Sequence, residues 1–389
     1  MDKQQLLNEY KDVFKTNADA VYFSPGRINV IGEHTDYNGG HVFPCAISLG
    51  TYGAYGARND QTVSLYSMNM DNGSIVSFDL NDEDPEKDED KSWINYFKGM
   101  IVYLKELGYK IDHGFNLLIH GNLPYGAGLS SSASIELLMG TILKDQFNLD
   151  VGQLDLVKLG QKTENKYVGL NSGIMDQFAV GMGKKDNAIF LDCSTLEYKY
   201  LPLELGDYEI VIMSTNKKHS LASSKYNERV AECEEAVKRL NQKLDINKLG
   251  ELDEKTFDQY TYLINDETLI KRARHAVSEN QRTLAAIDAM QKKDLEELGR
   301  LINASHISLH YDYEVSGKEL DTLAENAWKQ EGVLGARMIG GGFAGSAIAI
   351  VRKDKAEELK KNVGKIYREK IGYDASFYDA EIVDGPQRI

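Results

Sequence analysis

The chain has few cysteines: three in 389 residues, at Cys45, Cys193 and Cys233. An odd, scattered set supports neither a disulfide framework nor a cysteine zinc site, and it points to the reducing cytoplasm. Long apolar runs are also missing. No window approaches the roughly eighteen unbroken apolar residues of a membrane span. The opening MDKQQLLNEYKDVF has no apolar core followed by a small-residue cleavage site, so it reads as an amphipathic helix rather than a signal peptide. Positive charge is scarce, with 45 Lys and Arg against 60 Asp and Glu, a net charge of −15. That balance disfavours non-specific binding to nucleic acid or to acidic membranes, though a small anion can still be held locally. No fixed-period repeat and no low-complexity linker interrupts the chain.

What remains is a globular composition, 42% hydrophobic and 27% charged, over a length that predicts two domains, with three as the alternative. In the first half strands are expected at 20–24, 46–57, 62–69, 74–80, 114–121, 187–193 and 208–215. Helices are expected at 93–108, 130–147 and 154–169. The acidic run NDEDPEKDED, 81–90, reads as a solvated loop. Beyond a soft boundary near 205 the pattern turns helical, at 222–243, 267–290, 293–311 and 318–331. Strands at 345–351 and 375–383 follow, with a helix between them. The domains are thus 1–205 and 206–389.

IHGNLPYGAGLSSSASIELL carries a strand into a glycine-rich turn and then a serine-headed helix. Gly126 and Gly128 permit a sharp turn and a close approach to a ligand. The free N–H groups of a helix start, at the positive end of its dipole, attract an anion. One serine would suffice for an N-cap. Ser130, Ser131 and Ser132 in a row favour a phosphate cradle, and the missing lysine excludes the common P-loop. A magnesium nucleotide needs a carboxylate nearby, and its acceptor needs a positioning group. Glu164 and Asp176 in TENKYVGLNSGIMDQFAVGMG can serve. Alone, Asp176 also reads as a helix cap or half of a structural ion pair. The glycines of ARMIGGGFAGSAIAI, 336–350, suit close packing and ligand approach equally, and no chemistry is assigned to them.

SPGRINVIGEHTDYNGG, 24–40, crowds Arg27, Glu33, His34 and Asp36 into ten residues. With it the chain resembles the galactokinases of the GHMP small-molecule kinase superfamily over nearly its whole length. The sugar signature G-R-x-N-x-I-G-E-H-x-D-Y-x-x-G is matched from Gly26 to Gly40, and the phosphate loop G-x-G-L-S-S-S-A from Gly126 to Ala133. GIMDQ stands at Gly173–Gln177 and YNxR at Tyr226–Arg229. Relatives often have Thr, Gly and Cys where Ile339, Ala344 and Ser346 stand, Cys for Ser172, and a second arginine for Val230. These departures touch sugar tolerance and local packing.

The resemblance implies a two-domain α/β kinase: an N-terminal domain of mixed sheet and helices, and a C-terminal ferredoxin-like α+β domain, with the active site between them. It implies phosphorylation of the anomeric hydroxyl of galactose by ATP with Mg2+. Glu33, His34, Thr35, Asp36 and Tyr226 would bind the sugar. Ser67 and Gly126, Ala127, Gly128, Leu129, Ser130, Ser131 and Ser132 would hold the nucleotide, and Ser132 and Glu164 the metal. Asp176 would take the hydroxyl proton or position the hydroxyl, beside Arg27. Expected partners are galactose and MgATP, with no nucleic acid or membrane, in a monomer or weak homodimer. An N-acetylgalactosamine kinase or other sugar 1-kinase is the neighbouring reading. A sugar- and ATP-binding regulator without turnover is the distant one.

Overall fold

The computed structural model describes residues 3–70, 73–81, 93–124, 126–217 and 222–389, without the side chains of 222–224. The acidic run at 81–90 lies, apart from Asn81, outside these residues. The opening segment folds as the helix Lys3–Phe14, burying Leu6 and Tyr10.

The first sheet has six strands in the order Gln387–Arg388, Ala20–Asn29, Pro44–Ala57, Phe115–Gly121, Thr62–Ser67 and Val76–Asp79. Its pairs are antiparallel except Thr62–Ser67 with Phe115–Gly121. Helix Ser131–Gln146 packs on the two longest strands, and Ile94–Glu106 and Gln153–Lys162 pack on that helix. Their apolar faces, Phe97, Met100, Leu137, Leu138, Ile142 and Leu156 among them, fill the core over the sheet. A small sheet of His41–Val42, Asn187–Asp192 and Tyr198–Pro202 adjoins it.

The second sheet has four strands, Val333–Ile339, Ser346–Arg352, Tyr208–Ser214 and Ser376–Asp379, all antiparallel. Helices Leu295–Tyr311 and Gly317–Ala327 pack against it, and Glu267–Gln291 lies on the first of them. Asp266 caps that long helix by accepting from the Leu269 N–H. One apolar seam joins the two halves: Ile28, Val30, Ile31, Phe43 and Cys45 pack in a single cluster with Ile212, Ile287, Ile302, Ile348 and Ile350.

Three elements depart from expectation. The strand expected at 20–24 continues to Asn29, through a register shift at Pro25/Gly26, and is buried throughout. The helix expected at 154–169 is α-helical only to Lys162 and finishes as a π-turn, Thr163–Val168. The strand expected at 375–383 stops at Asp379. The chain then crosses to the first sheet, where Val383 N–H donates to Ala46 O and Gln387–Arg388 pairs with Tyr22–Phe23. Strands Val333–Ile339 and Tyr198–Pro202 and helix Glu254–Tyr260 were not foreseen. Among the described residues no helix is long and apolar enough to cross a membrane.

Candidate active site

The segment after strand Ala20–Asn29 turns sharply at Gly32 (φ +99°) and His34 (φ 61°). A Cβ on Gly32 would stand 2.7 Å from His41 O, so the turn requires glycine. The second half of the chain holds this loop in place. Buried Glu279 accepts from the N–H groups of Gly32 (3.1 Å) and Glu33 (3.3 Å), and His275 Nε2 meets Glu33 O at 3.1 Å.

Glu33 is buried, yet it lines the cleft. Its Oε1 accepts from the Gly340 N–H at 2.8 Å and lies 3.0 Å from Arg337 Nη2. Arg337 is wholly buried, and its Nη1 also donates to Asn29 O at 3.3 Å. The contact with Glu33 is an ion pair rather than an aligned hydrogen bond. Burial, and then the neighbouring Arg27 charge, push Arg337 down to about 9. Asp36 lies against Gly173 and accepts weakly from the Met175 N–H at 3.4 Å. Burial, and then the negative charge of Asp176, raise its carboxyl to about 6. His34 is buried, and burial followed by the charge of His275 pushes its imidazole down to about 3.

Gly126 (φ 71°), Gly128 (φ 66°) and Ser130 (φ 61°) shape the loop before helix Ser131–Gln146. Tyr125, within the turn, lies outside the described residues. Arg27 ties this loop to Asp176. Its Nη1 donates to Gly128 O at 2.7 Å, and its Nε and Nη2 donate to Asp176 Oδ1 and Oδ2 at 2.9 and 3.0 Å. Such two-pronged pairing fixes both side chains. Ser130 Oγ donates to Asp176 Oδ2 at 2.5 Å.

Behind the loop lies a second carboxylate layer. Glu164, set in the π-turn, accepts from Ser132 Oγ (2.8 Å), Ser172 Oγ (2.7 Å) and Gln177 Nε2 (2.8 Å). Gln177 Nε2 also donates to the fully buried Glu136 at 3.0 Å. Burial raises the carboxyls of both Glu136 and Glu164, most of all Glu136. A π-turn offsets the side chains that follow it and recurs at functional sites. Here it carries Glu164.

One cleft of about 1110 Å³ collects these groups. Arg27, Glu33, His34, Asp36, Asp176, Tyr226 and Glu164 line it, as does the whole run 126–132. Ser67 also lines it, as do Trp93, Tyr96, Phe97 and Ile135, which offer apolar surface fit for a flat ring. Thr35, expected among the sugar contacts, is elsewhere. Its hydroxyl shares its one proton between Gly32 O (2.8 Å) and His41 O (2.7 Å), so it braces the loop behind the cleft. The glycines left open resolve in part: Gly340, Gly341 and Gly342 line the cleft, and Gly340 bonds Glu33. Sequence reasoning missed Arg337, Glu136 and Gln177. Arg337 and Glu136 had a signal, a lone charge inside an apolar strand or helix.

Three family models match the chain. The galactokinase galactose-binding signature covers residues 8–57, the GHMP kinase N-terminal domain 95–184 and the GHMP kinase C-terminal domain 286–369. A galactokinase of Limosilactobacillus reuteri is 77% identical over the whole of both chains, and one of Lactobacillus helveticus 71%. The crystal structure of Lactococcus lactis galactokinase complexed with galactose superposes with a TM-score of 0.96 at 56% identity, covering 99% of each chain. A mevalonate kinase, 18% identical, shares the fold with a TM-score of 0.65, covering 94% of this chain and 99% of its own. With the sugar signature and both kinase domains matched, and full-length relatives at such identity, the chain belongs to the galactokinases, a family of GHMP kinases that use ATP as co-substrate.

Proposed function

We propose that the protein transfers the terminal phosphoryl group of ATP to the anomeric hydroxyl of D-galactose, giving galactose 1-phosphate and ADP. The observation that carries this reading is the Arg27–Asp176 pair. It shares the cleft with Glu33, His34 and Asp36, which form an acidic clamp for the sugar, and it is bonded to the glycine-serine loop through Gly128 and Ser130. Asp176 accepts the proton of the attacking hydroxyl or holds that hydroxyl in line. Arg27 holds Asp176 in place by its two-pronged pairing and steadies negative charge on the moving phosphoryl group. The loop and the start of helix Ser131–Gln146 bind the phosphates. Glu33, His34, Asp36 and Tyr226 read the sugar, and the apolar surface of Trp93, Tyr96, Phe97 and Ile135 takes the base.

The donor set suits Mg2+. Ser132 and Glu164 offer hard oxygens, and a cation would relieve the crowding of Glu136, Glu164 and Asp176. No three His, Cys, Asp or Glu among the described residues form a metal nest of their own, so phosphate and water oxygens would complete the shell. When bound, the ion neutralises charge on the phosphates. Three free cysteines, two of them buried, suit a cytoplasmic home.

A coupled ADP-release assay tests the reading. Galactose should be turned over and glucose should not, because a clamp built for one hydroxyl orientation leaves a buried partner unmet by the epimer, at about 1–3 kcal/mol per lost bond. Comparable rates on the two sugars would overturn the assignment of the clamp.

A further inference from the structure

His34 is 4% exposed and lines the cleft, and behind it runs a line of hydrogen-bonding groups. Its Nδ1 lies 2.8 Å from the Tyr37 hydroxyl. That hydroxyl is 2.6 Å from the hydroxyl of Tyr313, which is 3.2 Å from the Cys233 thiol. The thiol is buried and forms no disulfide. On the opposite side of the ring, His34 Nε2 is buried without a hydrogen bond of normal geometry, although the Gly341 backbone lies close enough to favour a proton on the ring.

We propose that Tyr37 and Tyr313 are positioning residues that fix the neutral His34 ring as its Nε2–H tautomer, so that His34 meets the sugar as a hydrogen-bond donor. The proposal rests on the placement of His34 in the galactose clamp.

A neutral imidazole carries one N–H and one acceptor nitrogen, and the partner of one nitrogen decides the other. Burial keeps this ring neutral. The line of groups then has two directions. In the first, Cys233 donates to Tyr313, Tyr313 to Tyr37, and Tyr37 to Nδ1, leaving the proton on Nε2. In the second, Nδ1–H donates to Tyr37, Tyr37 to Tyr313, and Tyr313 to sulfur. The second direction gives a phenol proton to the weakest acceptor in the line and leaves a bare Nε2 lone pair buried. The first gives it to the strongest acceptor and uses the thiol as donor. The clamp needs the same answer. Glu33, Asp36 and Asp176 as carboxylates only accept, so each hydroxyl that gives them its proton retains lone pairs. Those lone pairs need a donor, and His34, which lines the cleft, offers its Nε2–H as one.

Nitrogen NMR of the full protein labelled only in histidine reads the tautomer without any turnover. The His34→Gln spectrum identifies the His34 signals. The expected pattern is a protonated Nε2 and an unprotonated Nδ1 at neutral pH. Tyr37→Phe should mix the tautomers and raise the galactose KM about tenfold, the loss of one good hydrogen bond, with the ATP KM and kcat unchanged. Tyr313→Phe, which leaves the Tyr37 hydroxyl in place, should raise it about threefold or less. A wild-type His34 protonated on Nδ1, or a Tyr37→Phe protein with unchanged spectrum and KM, would overturn the proposal. Should Tyr37→Phe fail to fold, the wild-type spectrum and Tyr313→Phe decide. If the wild type failed to phosphorylate galactose while showing Nε2–H, the functional reading would fall and the tautomer would stand.

Discussion

Two carboxylates a few residues from each other in space have opposite surroundings, and their chemistry divides accordingly. Asp176 sits in the grip of Arg27 and Ser130. Asp176→Asn keeps the shape but accepts no proton and no longer pairs ionically with Arg27. General base catalysis contributes about 10²–10⁴-fold, so kcat should fall at least about 100-fold while galactose binding survives. Single-turnover transfer beside equilibrium sugar binding measures this, and near-normal transfer would leave alignment and Arg27 as the whole mechanism. Among the described residues Asp36 has no such cation at bonding distance, and its folded value of about 6 lies above the ordinary 3.8. A raised carboxyl favours the folded state at low pH, and that contribution is lost as pH rises from about 4 to about 6. Ionised Asp36 therefore burdens the fold above pH 6. Asp36→Asn should melt higher at pH 7 and no differently at pH 3. In the wild type, kcat/KM for galactose should fall as pH drops through about 6, and Asp36→Asn should lack that step. The motif residues were legible because they match the galactokinase signatures in order, and the resemblance carried their roles. Thr35 was misplaced because its neighbours in sequence face the cleft and it does not: alternation through an irregular turn cannot be read from spacing.

Strand Val333–Ile339 shows why whole elements escaped the sequence reading. It follows a helix closely, and its glycine flank looks like loop. Yet it delivers two groups to Glu33: the Arg337 guanidinium, and the Gly340 N–H just beyond its end. Breaking a buried pair from one side leaves an uncompensated charge, so Arg337→Met should destabilise by about 3–5 kcal/mol. Adding Glu33→Gln should recover part of that loss. Denaturant unfolding of both single variants and the double variant measures the coupling, and additive losses would mean the two side chains act independently. The π-turn at Thr163–Val168 was equally hidden, since one extra residue in a helical turn leaves the apolar spacing almost unchanged. The long helices at 267–290 and 293–311 were plain because their periodicity runs for many turns.

For the molecule as a whole, the apolar seam matters more than the boundary between the sheets. Isoleucines of both halves pack in one cluster, so parting the halves exposes core on each side. Heating should therefore give one endotherm whose calorimetric and van't Hoff enthalpies agree, and two separable peaks would show that the seam is no true core. The return of residues 380–389 to the first sheet binds the halves a second time. It also orders events in time. The first sheet gains its Gln387–Arg388 edge only after the second half has been synthesised. A ribosome-bound chain that has just completed strand Phe115–Gly121 therefore carries an unfinished sheet, and its clamp loop waits on a helix still to be translated.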